Sequence, residues 1–231
     1  GKLKAFTASF DDGYLNYENE QWLVDVFNAN GIKGTFNMPS GLFNDYNTDA
    51  AAFKELYTGF EVAAHTAYHT KYSEYTPDFF EDAVQADIEA LPAITEGAIE
   101  GIAYPNGESA NEEEKEILKD NGILYGRSTY SSRNFEIPDD LYNWNPTCFQ
   151  YNIGEFQSDA QTFVSMSPSE MKLMEVWGHG YQLNDDNKAA TQAVYELAGN
   201  RDDIYYASNI EIAKYLMAID ELVISTDESN I

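Results

Sequence analysis

The feature that most constrains this chain is its rhythm. Short apolar runs alternate with amphipathic segments about eight times over 231 residues, with no linker and no repeat of fixed period. The apolar runs predict strands at 3–9, 33–37, 60–64, 99–104, 123–128, 148–153, 173–177 and 204–207. The segments between them predict helices at 16–30, 50–57, 77–94, 112–121, 159–166 and 187–198, and a last one that Ser208 caps and that runs to Ile219. Gly31 lies just past one helix end, and Pro77 opens another at a first-turn position. Leu222-Val223-Ile224 ends the pattern. Residues 129–146 hold Pro138 and Pro146 without a clean period and read as a long loop, a kind of segment that is often functional. Strand-helix alternation of this kind argues for a parallel sheet with helices outside, open or closed, and for one α/β domain over 1–231.

Charge narrows the partners. Thirteen basic against 40 acidic residues give a net charge of -27, which opposes nucleic acid, anionic membranes and polyanionic glycans. A neutral or cationic polymer suits it better. The 14% aromatic content supports a packed core and also suits a carbohydrate-facing surface. Cys148 is the one cysteine, so the fold relies on no internal disulfide, and its setting reads as a buried small hydrophobe. No apolar run approaches membrane-spanning length.

The residues able to do chemistry gather just after strand ends. Asp11 and Asp12 follow the first strand, with Gly13 expected to take the bend. His65 and His69 follow the third, and His179 follows the run Leu173-Met174-Glu175-Val176-Trp177. In barrels of this type the site lies at the carboxyl ends of the strands. Adjacent carboxylates are costly unless a cation or hydrogen bonds hold them. His65 and His69, four apart, would share one face of a helical turn, and Asp12 could complete a two-histidine, one-carboxylate metal site with an open position. That set suits zinc, and also cobalt or nickel. Asp11 could then act as a base, His179 as an acid, and a backbone N–H in the turn after Pro105 as an oxyanion donor.

Three stretches carry a resemblance. Ser9-Phe10-Asp11-Asp12-Gly13, His65-Thr66-Ala67-Tyr68-His69 and Trp177-Gly178-His179 resemble, in order, the first, second and fifth motifs of the polysaccharide deacetylases with a NodB-homology domain, carbohydrate esterase family 4. The resemblance implies a distorted (β/α)7-8 barrel. It implies Asp11 as catalytic base, His179 as catalytic acid, and Asp12, His65 and His69 as ligands of a divalent metal, zinc first, with cobalt or nickel as alternatives. The third motif, R-x-P-[FY], is met by Ala103-Tyr104-Pro105-Asn106, without the arginine that helps orient the catalytic aspartate. The oxyanion donor would be the backbone N–H of Asn106, beside Tyr104. The fourth motif is met loosely by Asp140-Leu141-Tyr142-Asn143-Trp144, which would make Trp144 a wall of the groove. Trp177 stands where the family usually places Leu or Ile against the acetyl methyl.

The expected activity is metal-dependent hydrolysis of acetyl groups from an acetylated polysaccharide or oligosaccharide. N-acetyl glycans come first and acetylxylan, an O-acetyl substrate, second, since both reactions pass through a tetrahedral oxyanion. A non-catalytic carbohydrate-binding relative is the reading from another class, and a glycoside hydrolase using Asp11 is a third. A monomer without nucleic-acid or membrane partners, secreted or held in the cell envelope, completes the expectation.

Overall fold

A computed structural model describes residues 1–70 and 76–222. Eight strands and seven helices are found among them: β1 (Lys4–Asp11), α1 (Tyr17–Asn30), β2 (Gly34–Met38), α2 (Ala50–Leu56), β3 (Glu61–Ala64), α3 (Pro77–Ala90), β4 (Gly101–Ala103), α4 (Glu112–Asp120), β5 (Tyr125–Arg127), β6 (Cys148–Phe149), α5 (Ile153–Ser165), β7 (Lys172–His179), α6 (Lys188–Ala198), β8 (Ile204–Tyr206) and α7 (Asn209–Asp220). Every strand pairing is parallel, in the order β5-β4-β3-β2-β1-β7-β6, with β8 paired to the first half of β1. The gap between β5 and β7 is spanned by the chain from Trp144 to Phe149. Trp144 bridges Arg127 at one end, and Cys148 and Phe149 pair with Val176 and Trp177 at the other. The sheet thus curls into a distorted (β/α)7-8 barrel, as the resemblance implied.

β1 shows why the barrel forms. Phe6, Ala8 and Phe10 are wholly or almost wholly buried and pack into the apolar layer shared with Leu23 and Phe27 of α1. Thr7, Ser9 and Asp11, of opposite parity, are equally buried but bond polar partners in the lumen. Successive side chains on a strand point to opposite faces, so one strand builds an apolar outer layer and a polar inner one. The inner layer is closed from below by the start of α7. Asn209 accepts from Thr7 and donates through Nδ2 to Glu175 Oε1 at 2.8 Å, while the Ile210 N–H donates to Glu61 Oε2 at 2.9 Å. Ser208 and Glu211 form a capping box there.

Four expectations change. The strand at 148–153 stops at Phe149, and the helix expected at 159–166 is α5, beginning at Ile153. Gly154 and polar neighbours blur the start, but Phe156, Ala160 and Phe163 hold one buried helical face. The bend after β1 is taken by Asp12 (φ 60°), not Gly13. Gly13 is needed for close approach, because a Cβ there would lie 2.4 Å from the Tyr57 hydroxyl. Residues 65–69 form no helix: Thr66 and His69 have φ of 49° and 48°, and the His69 N–H closes a tight turn on the Thr66 carbonyl. Residues 129–146 are indeed a loop, apart from a short 3-10 turn at Leu141–Asn143, and the loop is tied down where Arg133 pairs with Asp159 at 2.8 Å. In the terminal run expected at 222–224, residues 223 and 224 lie outside the described residues. Among the described residues no helix is long and apolar enough to cross a membrane.

Burial pushes the Glu175 carboxyl up to about 7, against the attraction of Arg127 and the Asn209 hydrogen bond; Asp11 and Glu61 add to the rise. Because its folded value lies above the unfolded one, its contribution is complete at acid pH and lost as pH rises towards about 7. The linked effect amounts to roughly 3 kcal/mol. Thermal unfolding followed from pH 5 to 8 should therefore show a falling Tm in the native chain and a visibly flatter profile in Glu175→Gln.

Candidate active site

The polar rim is built where β1, β3, β4 and β7 end. Asp11 closes β1 with Asn37 of β2 and His179 of β7 as its register partners, so Asp11 and His179 stand on adjacent strands at one level. Asp11 is 2% exposed. Its Oδ1 accepts from Asn37 Nδ2 at 2.8 Å and from Arg127 Nη2 in a buried ion pair.

Asp12 follows in left-handed backbone, a conformation that costs a non-glycine residue about 1–2 kcal/mol. The bend turns its carboxylate towards the histidines. Oδ2 lies 3.4 Å from His69 Nε2 and 3.9 Å from His179 Nε2, and Oδ1 lies 3.9 Å from His65 Nε2. Burial alone would raise the Asp12 carboxyl, but the His69 hydrogen bond and the nearby imidazoles hold it below the usual carboxylate range. Its Oδ1 is buried without a hydrogen-bond partner.

His65 is held from both sides. Its backbone N–H donates to Asp87 Oδ2 of α3 at 2.9 Å, and its Nδ1 contacts the Ala103 carbonyl at 2.7 Å. A carbonyl can only accept, so Nδ1 carries the proton and Nε2 keeps its lone pair towards Asp12. Burial lowers the His65 pKa and favours this neutral form. Asp87 also accepts from the Ser40 N–H at 2.8 Å, and the Ala67 N–H bonds the Ala83 carbonyl, so α3 fixes the whole 65–69 turn. His69 is more open, and the Asp12 hydrogen bond raises its pKa. The two imidazole centroids lie 4.8 Å apart.

One ligand atom from each of Asp12, His65 and His69 can be chosen so that all lie within 4.8 Å of one another. A carboxylate with a partnerless buried oxygen and a neutral imidazole with an inward lone pair form a donor set that fits a divalent cation, and the Ala103 carbonyl behind His65 is the usual kind of supporting partner. His179 sits at the edge of this cluster with Nδ1 3.0 Å from Gln182 Oε1, which leaves Nε2 facing the rim.

The remaining expected residues divide. Trp177 does reach the site. It is 9% exposed, stacks on Phe149 with centroids 4.4 Å apart, lies 5.4 Å from the His179 ring, and keeps its Nε1 buried without a partner. Asn106 is exposed in the turn after β4, with φ 59°. Tyr104 is fully buried and its hydroxyl donates to the Tyr142 carbonyl at 2.7 Å, so its side chain does not face the rim. Trp144 does not wall the groove. It is 1% exposed and packs against Tyr125, Leu173 and Ile212 deeper in the barrel, since its backbone is drawn into the β5–β7 seam. Arg127, Asp87 and Gln182 were not singled out from the sequence. Their contacts join residues from separate elements, and only the missing third-motif arginine hinted that another cation was required.

The family model described as polysaccharide deacetylase matches residues 2–126. No curated protein matches the chain. Among solved structures, a candidate polysaccharide deacetylase from Mycobacterium smegmatis superposes with a TM-score of 0.69 at 14% identity, over 100% of this chain and 96% of that one. A family 4 carbohydrate esterase from Streptomyces lividans, solved with acetate, superposes with a TM-score of 0.57 at 14% identity, over 95% and 91%. A pseudoenzyme of the same esterase family from Bacillus anthracis gives 0.60 at 14% identity, over 92% and 65%.

Calorimetric titration with Zn2+ should give one equivalent bound by the native chain. Asp12→Ala and His65→Ala should each weaken binding by at least about 100-fold, and Asn in place of Asp87 by roughly tenfold or more through the loosened His65 turn.

Proposed function

The chain belongs to the polysaccharide deacetylase family, and we propose that it is a metal-dependent hydrolase that removes acetyl groups from an acetylated polysaccharide or oligosaccharide. The observation that carries this reading is the Asp12–His65–His69 cluster with Asp11 and His179 at the same rim. A pseudoenzyme stands among the structural neighbours, so the fold alone secures no turnover. Retention of all five side chains favours catalysis over a purely binding role.

Asp12, His65 and His69 would hold the divalent ion, zinc before cobalt or nickel. When bound, that ion supplies Lewis-acid polarisation of the acetyl carbonyl and lowers the pKa of water towards about 7. Asp11 takes a proton from the attacking water as its oxygen bonds to the acyl carbon. The Arg127 and Asn37 donors occupy Oδ1 of Asp11, and no hydrogen bond engages Oδ2 among the described residues, which leaves that oxygen to receive the proton. The Asn106 N–H donates to the carbonyl oxygen as it gains charge. His179, steadied by Gln182, delivers a proton from Nε2 to the departing amine or alcohol as the C–N or C–O bond breaks. The products are acetate and the free sugar group, and acetate is the molecule found with the Streptomyces lividans esterase.

Aromatic rings lie beside His179 and in the turn after β1. Tyr14 meets Tyr46 at 4.8 Å, and Tyr181 meets His179 at 4.9 Å; Phe149 joins Trp177 to Tyr151. Such rings suit uncharged sugar faces, and the net charge of -27 disfavours polyanionic glycans. N-acetylated glycans are the first choice and acetylxylan the second. Trp177 beside His179 supports a small acyl pocket bounded by an indole.

Acetate release from chitin oligomers, acetylxylan and a small acetyl ester tests the reading. The zinc-loaded chain should release acetate and stop on chelation. Asp11→Asn and His179→Ala should each lower kcat by about 10²–10⁴-fold with zinc still bound. New reducing ends without acetate, unaffected by chelation, would mark a glycoside hydrolase instead.

A further inference from the structure

Ala103 occupies the position at which the third motif of the resembled family carries arginine. It is the last residue of β4, and its register partner on β5 is Arg127. Partners in register project to the same face of the sheet, so the two side chains start from neighbouring points about 5 Å apart. Both residues are fully buried. From the β5 position the guanidinium reaches across the lumen to Asp11 Oδ1, donates through Nε to Ser9 Oγ at 3.3 Å, and donates through Nη1 to the Ser128 carbonyl at 3.1 Å. Its carbon centre lies 5.4 Å from the Trp177 ring.

We infer that the arginine which sets the catalytic base has moved one strand along the sheet: Arg127 is the positioning residue of Asp11, and positions 103 and 127 are interchangeable addresses for a single guanidinium. Asp11's title of base rests on the deacetylase reading; its ion pair with Arg127 does not. The forked cation fixes one carboxylate oxygen and so aims the other. A lysine at 127 keeps the charge but loses the simultaneous contacts to Asp11, Ser9 and Ser128. The Arg127 guanidinium bonds Asp11, Ser9 and Ser128 and forms no hydrogen bond or ion pair with Asp12, His65 or His69, so its loss should act on turnover and leave the cation-binding cluster intact.

The test compares native chain, Arg127→Lys, Arg127→Ala and the exchange variant A103R/R127A. Acetate kinetics, zinc titration, thermal unfolding and a crystal structure of the exchange variant are the readouts. Arg127→Ala should lose about 100-fold or more in kcat, with KM and zinc affinity changed by less than about threefold. Arg127→Lys should fold and fall between the two. The exchange variant should recover at least about tenfold of the lost kcat and most of the lost Tm, with its new guanidinium seated on Asp11. A near-native kcat in either single variant would overturn the inference. So would an exchange variant that is no more active or no more stable than Arg127→Ala, or whose guanidinium turns away from Asp11. If the native chain releases no acetate from any substrate, the deacetylase reading falls, and the stability and crystallographic comparisons still decide whether the two addresses are equivalent.

Discussion

Two carboxylates on consecutive residues, 2% and 5% exposed, are the constraint that the rest of the molecule answers. Taking a charge out of water costs several kcal/mol even after relaxation, so each needs its own compensation. Asp11 has a buried guanidinium and an amide. Asp12 has three imidazoles and one oxygen still unpaired. The two residues are adjacent in the chain, yet the left-handed turn at Asp12 sends their carboxylates to different neighbours, one held by the barrel interior and the other facing the histidine cluster. The proposed base and the proposed cation ligand are thereby kept distinct within two residues.

Much of this arrangement is readable from the sequence. The strand-helix rhythm is a local property, and it yields the parallel architecture. Asp11, Asp12, His65, His69 and His179 all follow apolar runs, and a strand end in such a sheet points at the site. What the sequence conceals is non-local. Arg127 lies in a three-residue strand, Tyr-Gly-Arg, and meets a partner 116 positions away. Nothing in its neighbourhood separates it from a surface arginine. Asp87 reads as one more acidic residue on an amphipathic helix, although it accepts from two backbone groups across the fold. Trp144 misleads for a related reason. A motif alignment fixes its order in the chain and says nothing of the seam that draws it inward.

Backbone conformation repeats the pattern. Asp12, Thr66, His69 and Asn106 all adopt positive φ, and all stand in turns that follow β1, β3 and β4. Thr66 is β-branched, for which this region is sterically poor. Such residues persist where the surroundings over-determine them, and here α3 does so through Asp87 and Ala83. The geometry of the histidine cluster is thus set by contacts of the fold itself. It is bought with local strain that helix packing repays.

The ion pair between Arg127 and Asp11 also has a mechanical meaning. β5 and β1 are the first and fifth strands along the sheet path, and β5 borders the seam where only short pairings with residues 144–149 complete the circle. A bond from β5 to β1 therefore crosses the hollow like a tie-rod between opposite walls. A curled sheet with a weak joint tends to flatten there, and this strut resists that deformation at the level where the chemistry would occur. The stiffness of the rim and the seating of a single aspartate thus rest on the same contact.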